Sequence, residues 1–165
     1  MLVYLVRHGI AVDREDPECP PDAERPLTKK GAEKARLVME GLLQLGVKPT
    51  LILSSPLLRA WETAEIAAKV MHYSREKIRR TDALLPEAEP SALTKELARL
   101  SAEQVLCTGH APHMDEFIAF VTGNRRSFTA LKKAGVACVE FESIAPGAGI
   151  LTALFPPRAF RLLSD

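Results

Sequence analysis

Short, mostly apolar segments alternate along this chain with longer segments of helical periodicity, and this alternation limits the possible folds more than any other feature. Three of the apolar segments are typical of strands buried on both faces, and they cover residues 2–6, 51–55 and 105–109. Two more, at 136–141 and 149–155, flank a Pro-Gly pair and predict an antiparallel pair of strands. The alternation as a whole predicts a three-layer α/β/α sandwich around a mixed, mostly parallel sheet.

Capping residues indicate where the helices between these strands begin and end. Thr28 is the expected N-cap of the first helix, whose apolar residues keep helical spacing until Gly46 ends it. Pro56 is expected to open the second helix in its first turn. The remaining elements are expected to be a weak strand and two helices, at residues 78–85, 90–100 and 114–121.

Length and composition indicate the broad class of protein. The 165 residues, of which 47% are hydrophobic and 26% charged, predict a single soluble globular domain over residues 1–165. The 22 Lys and Arg residues balance 21 Asp and Glu residues, so the net charge does not favour a nucleic acid or a membrane surface as a partner. The short basic run at 75–80 lacks interleaved aromatic residues, and we expect it to be a solvated connection.

Two further features bear on location. No apolar stretch approaches the ~20 residues that a membrane-spanning helix needs. The three cysteines are odd in number and lack Cys-x-x-Cys spacing, which favours buried thiols in a reducing compartment. We therefore expect a cytoplasmic protein with no membrane partner.

Cationic and imidazole side chains follow three of the predicted strands. Arg7 and His8 end the first, Arg59 lies in the first turn of the helix after the second, and His110 follows the third. In open α/β sheets, ligands gather beyond the carboxyl ends of the strands. Arginine matches phosphoryl oxygens in bidentate fashion, and a neutral imidazole can attack phosphorus. The pattern predicts a phosphoryl-binding site.

These residues resemble the histidine phosphatase superfamily. The motifs that carry the resemblance are Arg7-His8-Gly9, Pro26-Leu27-Thr28-x-x-Gly31, Ser54-Ser55-Pro56-x-x-Arg59-Ala60-x-x-Thr63-Ala64 and Gly109-His110. The short chain, and His110-Ala111-Pro112 before a helix, are similar to the SixA-type phosphohistidine phosphatases. The resemblance implies a phosphoglycerate mutase-like fold. It also implies a metal-independent phosphatase without a cofactor, working through a phosphohistidine intermediate.

The resemblance also implies roles for individual residues. His8 would be the nucleophile, with Arg7, Arg59 and His110 around the phosphoryl group. The arginines would disfavour protonation of His8 and so lower its pKa. Glu87 is the nearest match to the carboxylate that serves many superfamily members as general acid, and it could instead orient water. Glu89 is a weaker candidate for the same role.

Several alternatives stay open at this point. The expected substrate is a phosphohistidine-bearing protein domain, and the alternative is a small phosphomonoester. A mutase fits a short chain poorly, and a non-catalytic phosphate or phosphoprotein reader would not need the nucleophile His8. The sequence of the loop at 10–26 does not distinguish these alternatives, although we expect the loop to set the size of the substrate.

A pair of histidines, His110 and His113, raises the question of a metal site. Pro112 breaks the helical spacing between them, and no Cys or Asp cluster joins them. We therefore expect no metal, and we interpret His113 as a residue at the entry of a helix or at the rim of a pocket.

Overall fold

A six-stranded sheet forms the centre of the computed structural model, which describes residues 1–161. Its strands in chain order are β1 (Leu2–Arg7), β2 (Leu51–Ser54), β3 (Arg79–Arg80), β4 (Gln104–Gly109), β5 (Val136–Phe141) and β6 (Gly149–Phe155). Across the sheet the order is β3-β2-β4-β1-β5-β6. The four strands on one side are parallel, whereas β5 is antiparallel to β1 and β6 is antiparallel to β5. The expected mixed sheet and its antiparallel pair are confirmed.

Helices cover both faces of this sheet. They are α1 (Lys29–Gln44), α2 (Leu58–Val70), α3 (Pro90–Leu97), α4 (His113–Val121) and α5 (Pro157–Arg161). One apolar cluster joins Val3 and Leu5 to α3 and α4, and the other joins Val6 to α1, α2 and Phe160. Successive strand residues point to opposite faces, so one strand serves both clusters. The three-layer sandwich is confirmed.

Local chemistry explains where the first helix begins and ends. The Thr28 hydroxyl accepts a hydrogen bond from the Gly31 amide at 3.0 Å, as expected of an N-cap. Gly46, at φ +83°, adopts the left-handed conformation that ends the helix.

No helix within residues 1–161 is long and apolar enough to cross a membrane.

Three predicted elements differ in the structure. Pro56 does not open α2, which begins at Leu58 because the extended Leu57 is its N-cap. The predicted strand at 78–85 shrinks to Arg79–Arg80, because the Thr81 hydroxyl accepts from the Ala83 amide and turns the chain into a short 3-10 helix at Asp82–Leu84. The helix predicted at 90–100 ends at Leu97, with Ala98 as its C-cap.

Candidate active site

Strand register brings the predicted site residues to one edge of the sheet. Strand β4 lies between β1 and β2, pairing Gly109 with Arg7 and Thr108 with Ser54. The residues that follow each strand therefore emerge side by side. The ring centroids of His8 and His110 are 5.1 Å apart.

A cavity of about 480 Å³ opens at this edge. Four of the five predicted site residues line it, namely Arg7, His8, Arg59 and His110. The rest of the wall comes from the loop after β1, the segment around Pro86, the turn after β4 and the turn before β5. These segments contribute Ile10, Ala11, Val12, Asp13, Arg14, Glu15, Arg25, Pro86, Ala111 and Lys133. Part of the loop at 10–26 is thus a wall of the cavity.

The imidazole of His8 is held in one tautomer. Its Nδ1 lies 2.6 Å from the carbonyl oxygen of Gly9. A carbonyl can only accept, so Nδ1 carries the hydrogen and Nε2 keeps its lone pair. Burial, together with the positive charges of Arg59, Arg7 and Lys133, lowers the pKa of His8 to about 4, although the hydrogen bond to Gly9 opposes the shift. At neutral pH the ring is neutral and nucleophilic at Nε2.

Thr63 connects the Arg7-His8-Gly9 turn to the helix that carries Arg59. Its hydroxyl donates to the Arg59 carbonyl at 2.7 Å and accepts from the Gly9 amide at 3.2 Å. A Cβ at Gly9 would lie 2.8 Å from the Gly31 carbonyl oxygen, so only glycine fits between β1 and the start of α1. These contacts fix the turn that follows His8.

Arg59 is buried and held by the loop after β1. Its Nη1 donates to the Asp22 carbonyl oxygen at 2.7 Å and its Nη2 donates to the Asp22 carboxylate at 3.2 Å. Burial lowers the pKa of Arg59, and the nearby Asp22 carboxylate opposes that shift. The buried Nε has no hydrogen-bond partner within residues 1–161.

Arg7 is also held by a backbone carbonyl, here from the turn before β5. Its Nη1 donates to the Leu131 carbonyl oxygen at 2.7 Å, and its buried Nε also lacks a partner among the described residues. The carboxylate of Asp115, on α4, accepts from the Leu131 amide at 3.0 Å and from the Thr129 hydroxyl at 2.6 Å. Asp115 thereby helps to hold Leu131, the residue whose carbonyl binds Arg7. Burial lowers the pKa of Arg7, and the charge of Asp115 opposes this.

His110 is neutral at physiological pH. Its Nε2 lies 2.9 Å from the Ser55 hydroxyl, and the ring is 2% exposed. Burial lowers the pKa of His110 to about 2, with further contributions from His8 and Arg59. This ring can contribute a hydrogen bond to a ligand but no positive charge.

The predicted carboxylates lie elsewhere. Glu87 and Glu89 are exposed and neither lines the cavity, although Pro86, beside Glu87, does. The structure places Asp13 and Glu15 in the cavity wall instead. These two belong to a polar loop whose sequence has no periodicity to indicate which side chains face inward.

His113 is the first residue of α4, as expected of a helix-entry residue, but it does not line the cavity. It is fully buried, and neither ring nitrogen has a hydrogen-bond partner in the described chain. Burial lowers the pKa of His113, and Glu87 opposes the shift. No group of three or more His, Cys, Asp and Glu side chains arranged for a metal occurs within residues 1–161.

Comparison with known proteins shows which family the chain is similar to. The sequence profile of the histidine phosphatase superfamily (branch 1) matches residues 3–85. An uncharacterized protein of Picosynechococcus sp. is 38% identical over 140 residues, which are 82% of each chain. The family match spans all the motifs up to the segment around Pro86.

Solved structures share the fold. The protein histidine phosphatase SixA in complex with tungstate superposes with a TM-score of 0.86 at 23% identity, covering 96% of this chain and 99% of that one. The α-ribazole phosphatase of Shigella flexneri superposes with a TM-score of 0.72 at 18% identity, covering 95% and 97%. These likenesses confirm the predicted phosphoglycerate mutase-like architecture. The chain belongs to the histidine phosphatase superfamily, and it is an enzyme of the phosphatase class.

Proposed function

We propose that the protein is a metal-independent phosphatase that forms a phosphohistidine intermediate on Nε2 of His8 and acts on protein phosphohistidine. The observation that carries the proposal is the state of His8, a buried neutral imidazole whose Nδ1–H is bound to Gly9. The guanidinium groups of Arg7 and Arg59 belong to residues that line the same cavity, where an arginine can donate hydrogen bonds. A phosphoryl group carries negative charge on its equatorial oxygens, and such groups can receive these hydrogen bonds.

Two transfers complete the reaction. In the first, the lone pair of Nε2 attacks phosphorus, the bond from phosphorus to the leaving atom breaks, and that atom takes the bonding electrons. In the second, water attacks the phosphorus, the bond to Nε2 breaks, and inorganic phosphate leaves while the displaced proton passes to solvent. Arg7 and Arg59 stabilise the charge of the phosphoryl group in both transfers, and His110 adds a neutral hydrogen bond. Because the arginines are held in place by Leu131 and Asp22, little reorganisation accompanies the transfer.

The position of Glu87 favours a phosphoramidate substrate. The free ring nitrogen of a phosphohistidine can take a proton from solvent near neutral pH, so the ring departs as neutral imidazole without an acid from the protein. Glu87 lies outside the cavity wall. The likeness to a protein histidine phosphatase supports the same substrate class. With three free cysteines, the chain also suits a reducing compartment such as the cytoplasm.

A small phosphomonoester is the second candidate substrate. The carboxylates of Asp13 and Glu15 line the cavity and could protonate an oxygen leaving group. The likeness to an α-ribazole phosphatase supports this alternative.

One set of assays separates the two substrates. Turnover of a phosphohistidine protein domain, phosphoramidate, an aryl phosphate and phosphoglycerate is measured for the wild type, Glu87→Gln and Glu15→Gln. The proposal predicts cleavage of the two substrates with P–N bonds, with both variants close to wild type. Preferred cleavage of the esters, lost in Glu15→Gln, would favour the second candidate. Chelators are expected to have no effect, and loss of activity to them would contradict the metal-independent mechanism.

A further inference from the structure

Within residues 1–161, Lys133 differs from the other cations of the cavity because no side chain or carbonyl binds its ammonium group. The guanidinium groups of Arg14, Arg25 and Arg59 all form ion pairs with the carboxylate of Asp22, at 3.0, 3.0 and 3.2 Å. Lys133 lines the cavity and is exposed, and its ammonium group has no hydrogen-bond or ion-pair partner within residues 1–161. Its charge is therefore available to a ligand.

The backbone holds Lys133 against the nucleophile. The amide of Ala134 donates to the carbonyl oxygens of both Arg7 and His8, at 3.0 and 3.1 Å. The Arg7 amide in turn donates to the Gly135 carbonyl at 3.1 Å. Ala134 adopts φ +62°, a left-handed conformation that costs a non-glycine residue free energy and that often occurs at functional sites. The turn thus fixes the start of the Lys133 side chain beside His8.

The positive charge of Lys133 suits the negative charge of a phosphoryl group in this cavity. His110 is neutral, and one carboxylate already offsets part of the charge of Arg59. A phosphoryl group in transfer concentrates negative charge on its non-bridging oxygens. An ammonium group is a compact cation with three donors and no acceptor, which suits such an oxygen. Lys133 is also among the charges that lower the pKa of His8, consistent with its proximity to the ring.

We propose that Lys133 is a catalytic residue whose ammonium group binds a non-bridging oxygen of the phosphoryl group at His8. This assignment rests on the proposed function. It adds a third cation to Arg7 and Arg59, and this cation comes from the turn before β5 rather than from a strand end.

The chain offers a matched control for this assignment. Lys132 is adjacent and exposed, but its side chain does not line the cavity. The variants are Lys133→Ala, Lys133→Arg and Lys132→Ala. Tungstate affinity is measured by calorimetry, and kcat/KM is measured with phosphoramidate across a range of pH.

The proposal predicts that Lys133→Ala weakens tungstate binding and lowers kcat/KM, each roughly ten- to hundredfold. Lys133→Arg should recover part of both losses, and Lys132→Ala should match the wild type. Because the charge of Lys133 lowers the pKa of His8, the acidic limb of the pH profile should move upward in Lys133→Ala. Unchanged tungstate affinity and kcat/KM in Lys133→Ala would overturn the assignment, as would an equal loss in Lys132→Ala. Tungstate binding needs no turnover, so it tests Lys133 even if His8→Ala proves active and the phosphohistidine mechanism fails.

Discussion

Arg59 and Asp22 are 37 residues apart in the chain, yet Asp22 binds the Arg59 guanidinium through both its carbonyl oxygen and its carboxylate. Arg59 belongs to the helix after β2, and Asp22 belongs to the loop after β1. The contact fixes the orientation of the Arg59 guanidinium at the wall of the cavity. The loop after β1 therefore supports the site as well as forming part of the cavity wall.

Removing the Asp22 carboxylate should impair catalysis through Arg59. In Asp22→Ala, one charge-assisted hydrogen bond to Arg59 is lost, and such bonds contribute about 1.5–3 kcal/mol. We expect kcat/KM to fall roughly tenfold. Glu24→Ala, in the same exposed turn, is the control and should behave as the wild type. Equal activity of Asp22→Ala and the wild type would show that Arg59 needs no such support.

The hydroxyl of Thr63 should contribute more to stability and activity than the volume of its side chain does. Thr63→Val keeps the volume but leaves the buried Gly9 amide without its acceptor, at a cost of about 1–3 kcal/mol in the free energy of unfolding. Thr63→Ser keeps the hydroxyl and should recover most of the loss. Urea denaturation measures the free energies, and kcat with an aryl phosphate or phosphoramidate reports any displacement of the turn after His8. A stable, fully active Thr63→Val would contradict this role.

Arginine geometry at position 7 should be hard to replace. The guanidinium of Arg7 donates Nη1 to the Leu131 carbonyl and has further N–H groups for a ligand in the cavity, whereas a lysine has a single nitrogen for both tasks. We expect Arg7→Lys to lower kcat/KM about a hundredfold, within the range found when one preorganised donor is removed. The measurement is steady-state kinetics with phosphoramidate. A loss of less than about threefold would mean that only the charge of Arg7 is needed.

The buried imidazole of His8 should make the folded state sensitive to acid. Its pKa is about 4 in the folded chain, against 6.5 for an unperturbed histidine. Between these pH values the unfolded chain binds a proton that the folded chain does not, so the free energy of unfolding falls as the pH falls through this window. The contribution of His8 is on the order of 3 kcal/mol.

Urea denaturation at several pH values tests this dependence, with His8→Gln as the control. The variant should lose less stability than the wild type between pH 6.5 and 4. Nitrogen chemical shifts from NMR should show His8 neutral at pH 6, with hydrogen on Nδ1. A His8 titration near 6.5 would contradict the account.

Much of the site could be predicted from the sequence because strand ends are easy to recognise. Apolar segments followed by Arg7-His8-Gly9 and Gly109-His110 place their polar residues at the carboxyl ends of parallel strands, and the register pairs Arg7 with Gly109. The convergence therefore follows from strand direction alone. The cap at Thr28 could be predicted because its hydroxyl bonds within its own turn.

The supporting residues could not be predicted in this way. Asp22 and Asp115 act through contacts between distant parts of the chain, and nothing in a polar, proline-rich loop indicates which carboxylate meets Arg59. Lys133 looks like any lysine of a surface turn until the backbone bonds of Ala134 are seen. The strand predicted at 78–85 ends early for a local reason, because the Thr81 hydroxyl accepts from the Ala83 amide and turns the chain into a short 3-10 helix.

The phosphoenzyme itself tests the central claim most directly. The wild type and His8→Ala are mixed rapidly with excess phosphoramidate, quenched in alkali to preserve a P–N bond, and analysed by mass spectrometry and 31P NMR. The account predicts a phosphoryl group on Nε2 of His8 in the wild type, and neither this adduct nor turnover in His8→Ala, which should still bind tungstate. Near-normal turnover by His8→Ala, or a phosphoryl group found on another residue, would contradict it.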